Sequence, residues 1–358
     1  MTTYSLAIMA GDGIGPEVMA SALQVLSAIE CPESCTFTLH ECAVGGAAYE
    51  QYGTHLPQES IDIALECDGI LFGSVGGPID QSHLPKWKDC ERNSILAIRK
   101  AFHFNTNLRP VTIYEELAHI SPLKLNRIST GVDFVIVREL LGDIYFGEHT
   151  RWTDKLGARH ASDVATYSES QIRSVARDAF KLAEKRRYEL CLVHKSNVLE
   201  ISRLWQEVVR EYSSNFPKVT VTEMLVDNCA MQLVLNPSKF DVILTSNLFG
   251  DILSDLGAAL AGSLGITPSA SLNADGYGLF EPSGGSAPDI AGMGIANPLA
   301  QILSLALLFE LQLNLPEQAL RIRNACRQTL RDGIMTRDLN PTSTISTNEF
   351  TQEVIRRL

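Results

Sequence analysis

Two aspartates four residues apart, Asp251 and Asp255, lie in the stretch Thr245-Ser-Asn-Leu-Phe-Gly-Asp-Ile-Leu-Ser-Asp255, just after the apolar run at residues 240–244. On a helix this spacing sets both carboxylates on one face. Like charges at that spacing repel, and a bound cation is one reason to keep them there. They are therefore the first metal-ligand candidates. From the spacing alone, a solvated acidic face at a helix start is the alternative. The neighbours Gly250, Ile252, Leu253 and Leu256 and the small-residue run 257–262 are too apolar for open surface, which predicts carboxylates facing a packed crevice.

The elements around this stretch alternate. Residues 4–10 predict a buried strand, followed by Gly11-Asp-Gly-Ile-Gly15 and a helix with Pro16 at its first turn, whose Val18, Ala22, Val25 and Ile29 share one face. A dinucleotide fingerprint would need its third glycine at position 16, which is Pro16, so a Rossmann fold is not expected. Strands are predicted over 36–42 and 68–74 with a helix opening at Pro57 between them, then a loop at 73–78 and a helix over about 93–102. Further on come a strand over 133–138 and a protruding β arm with strand pieces around 144–146 and 161–167. A helix over 168–187, a strand over 189–193, a helix over 199–212, a strand over 218–222 and a helix over 226–235 follow. Residues 298–311 predict a buried helix, and Ser346 with Glu349 a capping box.

A chain of 358 residues with 45% hydrophobic content can bury a sizeable core, and its length predicts about two domains. The 30 Lys+Arg against 42 Asp+Glu give a formal charge of −12, which opposes nucleic acid and anionic membranes. An anionic ligand must then be held by clustered arginines. Eight cysteines without a Cys-x-x-Cys pair fit a reducing cytoplasm, and the sequence predicts neither a targeting segment nor a membrane span.

Six motifs occur in order: Gly11-Asp-Gly-Ile-Gly-Pro-Glu17, Asn107-Leu-Arg-Pro110, Val137-Arg-Glu-Leu140 with Ile144-Tyr-Phe-Gly147, Lys195-Ser-Asn-Val-Leu199, Asn247-Leu-Phe-Gly-Asp-Ile-Leu-Ser-Asp255 and Glu281-Pro-Ser-Gly-Gly-Ser-Ala-Pro-Asp-Ile-Ala-Gly292. With them the chain resembles, over nearly its whole length, the 3-isopropylmalate dehydrogenases. These belong to the β-decarboxylating dehydrogenases, which also include isocitrate, homoisocitrate and tartrate/malate enzymes. The resemblance implies two α/β domains with a cleft between them: an outer domain of residues 1–104 plus 262–358, with both termini and most of the cofactor site, and an inner domain of residues 105–261. The inner domain would carry the β arm, the dimer interface and the metal ligands.

It implies NAD-dependent oxidative decarboxylation of (2R,3S)-3-isopropylmalate to 2-oxoisocaproate and CO2 in leucine synthesis, by a cytoplasmic homodimer with a shared active site. Arg99, Arg109 and Arg138 would bind the malate moiety, since a guanidinium meets a carboxylate with two parallel hydrogen bonds. Asp251, Asp255 and Asp227 would hold Mg²⁺ or Mn²⁺, with Asp227 reaching the other subunit's site and also meeting substrate. Lys195 would be the base for the 2-hydroxyl and Tyr145 the acid for the enolate carbon. A lysine serves as base only when its neutral form is accessible, which burial beside a cation favours.

Pro78, Ile79, Glu91, Gly284, Gly285, Ser286, Ala287, Asp289, Ile290 and Asn297 would line NAD, with Asp289 accepting ribose hydroxyls and repelling a 2′-phosphate. Ile95 and Leu96 stand where isocitrate enzymes carry polar residues, and an apolar pair suits an isopropyl group. His194, Met293, Leu141 and Asp143 depart from the Asp, Lys, Thr and Gly usual in isopropylmalate enzymes, and His194 is commoner in isocitrate and homoisocitrate relatives. Homoisocitrate, isocitrate or tartrate/malate oxidation is the alternative within the class. A silent regulatory subunit is the rival outside it, opposed by the presence of the full Tyr, Lys and Asp set.

Overall fold

A computed structural model describes residues 2–31 and 35–358. Its strands are β1 (Thr2–Gly11), β2 (Cys35–Glu41), β3 (Gly69–Ser74), β4 (Thr106–Ile113), β5 (Val132–Glu139), β6 (His149–Thr153), β7 (Arg159–Asp163), β8 (Glu189–His194), β9 (Thr220–Leu225), β10 (Val242–Thr245), β11 (Pro268–Leu272) and β12 (Gly278–Pro282). The chain separates into two compact units, one of Met1–Phe102, Thr112–Pro122 and Ala258–Leu358, the other of His103–Val111 and Leu123–Gly257.

In the first unit the strand order is β2-β1-β3-β12-β11. The β2/β1, β1/β3 and β3/β12 pairs are parallel and β11/β12 is antiparallel. Every residue of β3 is buried, as for a strand covered on both faces. The helix Gly15–Ala28 has proline in its first turn and buries Val18, Met19, Ala22, Val25 and Leu26, the face that the periodicity predicts. The helix Leu299–Leu311 is buried from Leu299 through Phe309, as a helix without a polar stripe must be. The Ser346–Glu349 capping box forms.

In the second unit the order is β4-β5-β10-β8-β9, with β10 parallel to both β5 and β8, and β9 parallel to β8. The helices Glu169–Glu184 and Glu200–Ser213 are amphipathic, and the former starts on a capping box of Ser168 and Gln171. β6 and β7 form a two-stranded, largely exposed arm.

The structure departs from the sequence expectation at several points. The arm strands lie at His149–Thr153 and Arg159–Asp163, while residues 144–146 form a turn, because Asp143 adopts φ 70° and Gly147 packs against the Val164 carbonyl. The helix expected over 93–102 is two pieces, Cys90–Asn93 and Ile95–Ala101, broken at buried Ser94, whose hydroxyl donates to the Cys90 carbonyl at 2.5 Å. The helix Gly45–Tyr52 and the antiparallel pair β11/β12 carry no signal that the periodicity exposes.

Candidate active site

Parallel register delivers the functional side chains of the second unit to one edge. Arg138 near the end of β5 stands opposite Thr245 of β10, and Thr245 opposite Val193 of β8. The chain leaves these strand ends into Asn247, at the head of the helix Asn247–Ala261, and into Lys195. The carboxyl ends of parallel strands are where α/β sheets place ligands.

The centre is Arg138, 2% exposed. Its Nε and Nη2 donate to Asn247 Oδ1 at 2.9 and 2.7 Å, its Nη1 donates to Asp251, and its guanidinium lies 5.5 Å from the Tyr145 ring centroid. Tyr145 Oη donates to the other oxygen of Asp251 at 2.6 Å. Gly250 permits this packing, since a Cβ there would stand 2.6 Å from Arg138 Cγ. Arg109 is also buried and donates to Asn107 Oδ1 at 2.8 Å, from the same face of β4 two residues back.

Partial burial raises the Asp255 carboxyl above the usual range, opposed by Arg109; Asp251 raises it further and Arg138 lowers it. Two hard oxygen donors one helical turn apart, with one carboxyl raised partly by the other's charge, are a donor set that suits Mg²⁺ or Mn²⁺. Ile252 is 59% exposed and Asp255, although partly desolvated, is exposed, so within one chain this helix face is not the packed crevice that its composition predicts.

Lys195 and Asp227 form a separate pair. They follow directly on His194 and closely on Leu225, partners in the β8/β9 register, and the ammonium donates to Asp227. That hydrogen bond, first among its causes, lowers the Asp227 carboxyl. Among the described residues, no three His, Cys, Asp or Glu side chains assemble as a metal site, and Asp227 does not join Asp251 and Asp255 within one chain.

His194, the departure beside Lys195, is 5% exposed. Its Nδ1 accepts the Ser196 N–H at 3.2 Å, its Nε2 lies 3.7 Å from Glu223, and burial lowers it below the usual histidine range. It is thus a neutral ring that shapes the Lys195 turn. Met293 is exposed and Leu141 half-buried.

In the first unit, Ile95 and Leu96 are half-buried at the start of the helix Ile95–Ala101, on the face that Arg99 shares at i+4 and i+3. Arg99 is 7% exposed, with Nη2 3.4 Å from Glu281, and its Nε has no hydrogen-bond partner among the described residues.

In this unit the glycine loop that follows β1 meets the loops that carry cofactor candidates. The Asp12 carboxylate accepts the N–H groups of Gly46, Ala47 and Gly76 at 2.8 to 3.0 Å, and the Ile14 N–H donates to the Ser286 carbonyl at 2.8 Å. That carbonyl fills the space beside Gly13, so the glycine loop cannot cradle a pyrophosphate as a Rossmann fingerprint does. Glu91, Gly285 and Asp289 are exposed, Pro78 and Ile79 open a short turn with Ile79 91% exposed, and Gly284, Ala287 and Ile290 are half-buried. Ser286 is buried. Asn297 donates to Asp338 at 3.0 Å and accepts the Leu299 N–H at 3.0 Å. Asn247, Asn107 and Glu139 also belong to the site; all three lie inside the quoted motifs, but nothing in residue type or spacing marks them.

The fold is a mixed α/β sheet without a Rossmann loop, and its site sets buried arginines beside an aspartate pair and a tyrosine, groups suited to carboxylates, a divalent cation and proton transfer. The sequence profile of the isocitrate/isopropylmalate dehydrogenases matches residues 5–354, and the chain belongs to that family. It is 47% identical over 351 residues to the 3-isopropylmalate dehydrogenase of Mannheimia succiniciproducens, covering 98% of each chain. It is 45% identical over 354 residues to that of Escherichia coli, covering 99% of this chain and 97% of the other. Among solved structures, isocitrate dehydrogenase from Methylococcus capsulatus superposes with a TM-score of 0.87 at 32% identity over 99% of both chains. A β-decarboxylating dehydrogenase from Thermococcus kodakarensis superposes at 0.78 and 35% identity, over 99% of this chain and 96% of that one. Among the described residues, no helix is long and apolar enough to cross a membrane.

Proposed function

We propose that this chain oxidises and decarboxylates (2R,3S)-3-isopropylmalate to 2-oxoisocaproate and CO2, as the dehydrogenase step of leucine synthesis. The observation that carries this is the Arg138–Asp251–Tyr145 cluster: a buried guanidinium for a substrate carboxylate, a hard-oxygen ligand and a phenol within hydrogen-bond reach. Full-length relatives named 3-isopropylmalate dehydrogenase support the choice of substrate. The half-buried Ile95 and Leu96 beside Arg99 offer apolar surface for an isopropyl group and a cation for a carboxylate.

In this account Arg109 and Arg138 hold the malate carboxylates by paired hydrogen bonds, and we assign Arg99 to the same substrate. Asp251 and Asp255 would hold a divalent cation, which would supply Lewis-acid stabilisation of charge on the substrate oxygens, and bound NAD would be the acceptor for the C2 hydride. Lys195 takes the hydroxyl proton as the C2–H bond gives up its electron pair. The C3 carboxylate then leaves as CO2, its bonding electrons pass into the enolate, and Tyr145 returns a proton to C3. Asp289 is assigned to the ribose hydroxyls, which makes NAD rather than NADP the partner.

Lys195 and Asp227 form an ion pair with each other, and Asp227 does not assemble with Asp251 and Asp255 as a metal site within one chain. We infer that both side chains complete the site of a second copy in a homodimer. Val198, Leu199, Met231, Leu235 and Ile252, apolar and exposed on the second unit, are the surface that such a copy would cover.

The test is NADH and CO2 release from 3-isopropylmalate with Mg²⁺. Equimolar products from the native chain, and none from a folded Lys195→Met, are expected. NADH without CO2, or turnover in Lys195→Met above a tenth of native, contradicts the proposal.

A further inference from the structure

A helix begins with N–H groups that have no partner inside it, and a serine just before the first turn ordinarily supplies the acceptor. At the helix Asn247–Ala261 the arrangement differs. Ser246 is buried, but its hydroxyl has no hydrogen-bond partner among the described residues. Instead the Asn247 N–H donates to Tyr167 Oη at 2.9 Å, and the Leu248 N–H donates to Asp143 Oδ2 at 3.1 Å.

Asp143 is 4% exposed and sits at φ 70°, a backbone conformation that glycine adopts freely and that asparagine and aspartate tolerate. Its Oδ1 accepts the Ile144 N–H at 3.0 Å, Tyr167 Oη lies 3.4 Å from its Oδ2, and its own N–H donates to the Thr166 carbonyl at 3.1 Å. A carboxylate at this end of a helix also meets the positive end of the helix dipole.

The position matters because of what lies on either side. Asp143 precedes Tyr145 by two residues, and the helix it caps carries Asn247, which receives two Arg138 hydrogen bonds, and Asp251, which receives Tyr145 Oη at 2.6 Å. One carboxylate thus ties the segment that bears the phenol to the helix that bears both aspartates. We propose that Asp143 is a positioning residue of the reaction site, capping this helix from the Tyr145 segment and so fixing where Asp251 and Asp255 point.

The inference rests on the proposed roles of Tyr145 and Asp251, and its test separates the two. Asp143→Gly and Asp143→Asn both suit the backbone conformation, the first removing the carboxylate and the second keeping one acceptor oxygen. Mn²⁺ affinity of the full-length protein is measured by calorimetry without substrate, alongside kcat, KM for 3-isopropylmalate, KM for NAD and the melting midpoint. Asp143→Gly is expected to stay folded, bind Mn²⁺ about fivefold to tenfold more weakly and lose a similar factor in kcat, the consequence of a lost cap, while KM for NAD holds. Asp143→Asn is expected to fall between Asp143→Gly and native. A folded Asp143→Gly or Asp143→Asn with Mn²⁺ affinity and kcat within about twofold of native, a change smaller than loss of a cap brings, overturns the positioning role. Asp251→Asn is the control for the underlying assignment: if it binds Mn²⁺ as the native chain does, the assignment of Asp251 falls whatever Asp143 does.

Discussion

At the scale of single residues the site region combines groups whose ionisation is set by burial. Glu139, fully buried one residue beyond Arg138, has its carboxyl pushed up to about 7 by desolvation, against the pull of the Leu141 and Gly142 N–H groups. Because the folded state holds this proton more tightly than the unfolded chain, whose carboxyl titrates near 4.5, the contribution is complete below about pH 4.5 and lost as the pH rises to 7. Its size is on the order of 3 kcal/mol. His194, lowered by burial, works in the opposite sense, adding stability that disappears as the pH falls. Glu139→Gln should therefore flatten the decline in urea midpoint between pH 5 and 7 relative to native. An unchanged slope would remove Glu139 from this account.

At the scale of elements, the helix Asn247–Ala261 lies against the Arg138 stem through Gly250. A methyl group there must displace Arg138 or the helix, at a cost of about 1–3 kcal/mol. Gly250→Ala should raise KM for 3-isopropylmalate about tenfold with a lower melting midpoint. An unaltered KM would mean that Arg138 does not hold substrate. Parts of this helix were legible in advance. The four-residue spacing of Asp251 and Asp255 needs only helical geometry, and the strand before it is an apolar run. The Arg138–Asn247 clamp was not legible, because 109 positions separate the partners and only sheet register brings them together. Nor was the capping by Asp143 and Tyr167: local pattern favours Ser246, and a cap supplied from another segment leaves no mark in periodicity. Ile144–Phe146 looked like a strand because β-branched and aromatic residues prefer strands, but the positive φ at Asp143 turns the chain first.

For the whole molecule, the pairing of Lys195 with Asp227, and the absence of a single-chain metal site that joins Asp227 to Asp251 and Asp255, lead to a prediction about assembly. If the two groups complete each other's sites across a homodimer, Lys195→Met and Asp251→Asn, each inactive alone, should recover about a quarter of native activity when unfolded together and refolded, since half the dimers are mixed and each has one intact site. No recovery would place both groups in one subunit's site. Substrate choice is tested most directly by kcat/KM of the native enzyme with NAD, measured for 3-isopropylmalate beside isocitrate and homoisocitrate. A third carboxylate set against Ile95 and Leu96 would be desolvated on apolar surface while Arg99 beside them is already engaged by a malate carboxylate, so 3-isopropylmalate should be preferred by a factor of about a hundred or more. Equal or better use of isocitrate or homoisocitrate would contradict the assignment and make His194 the more telling residue.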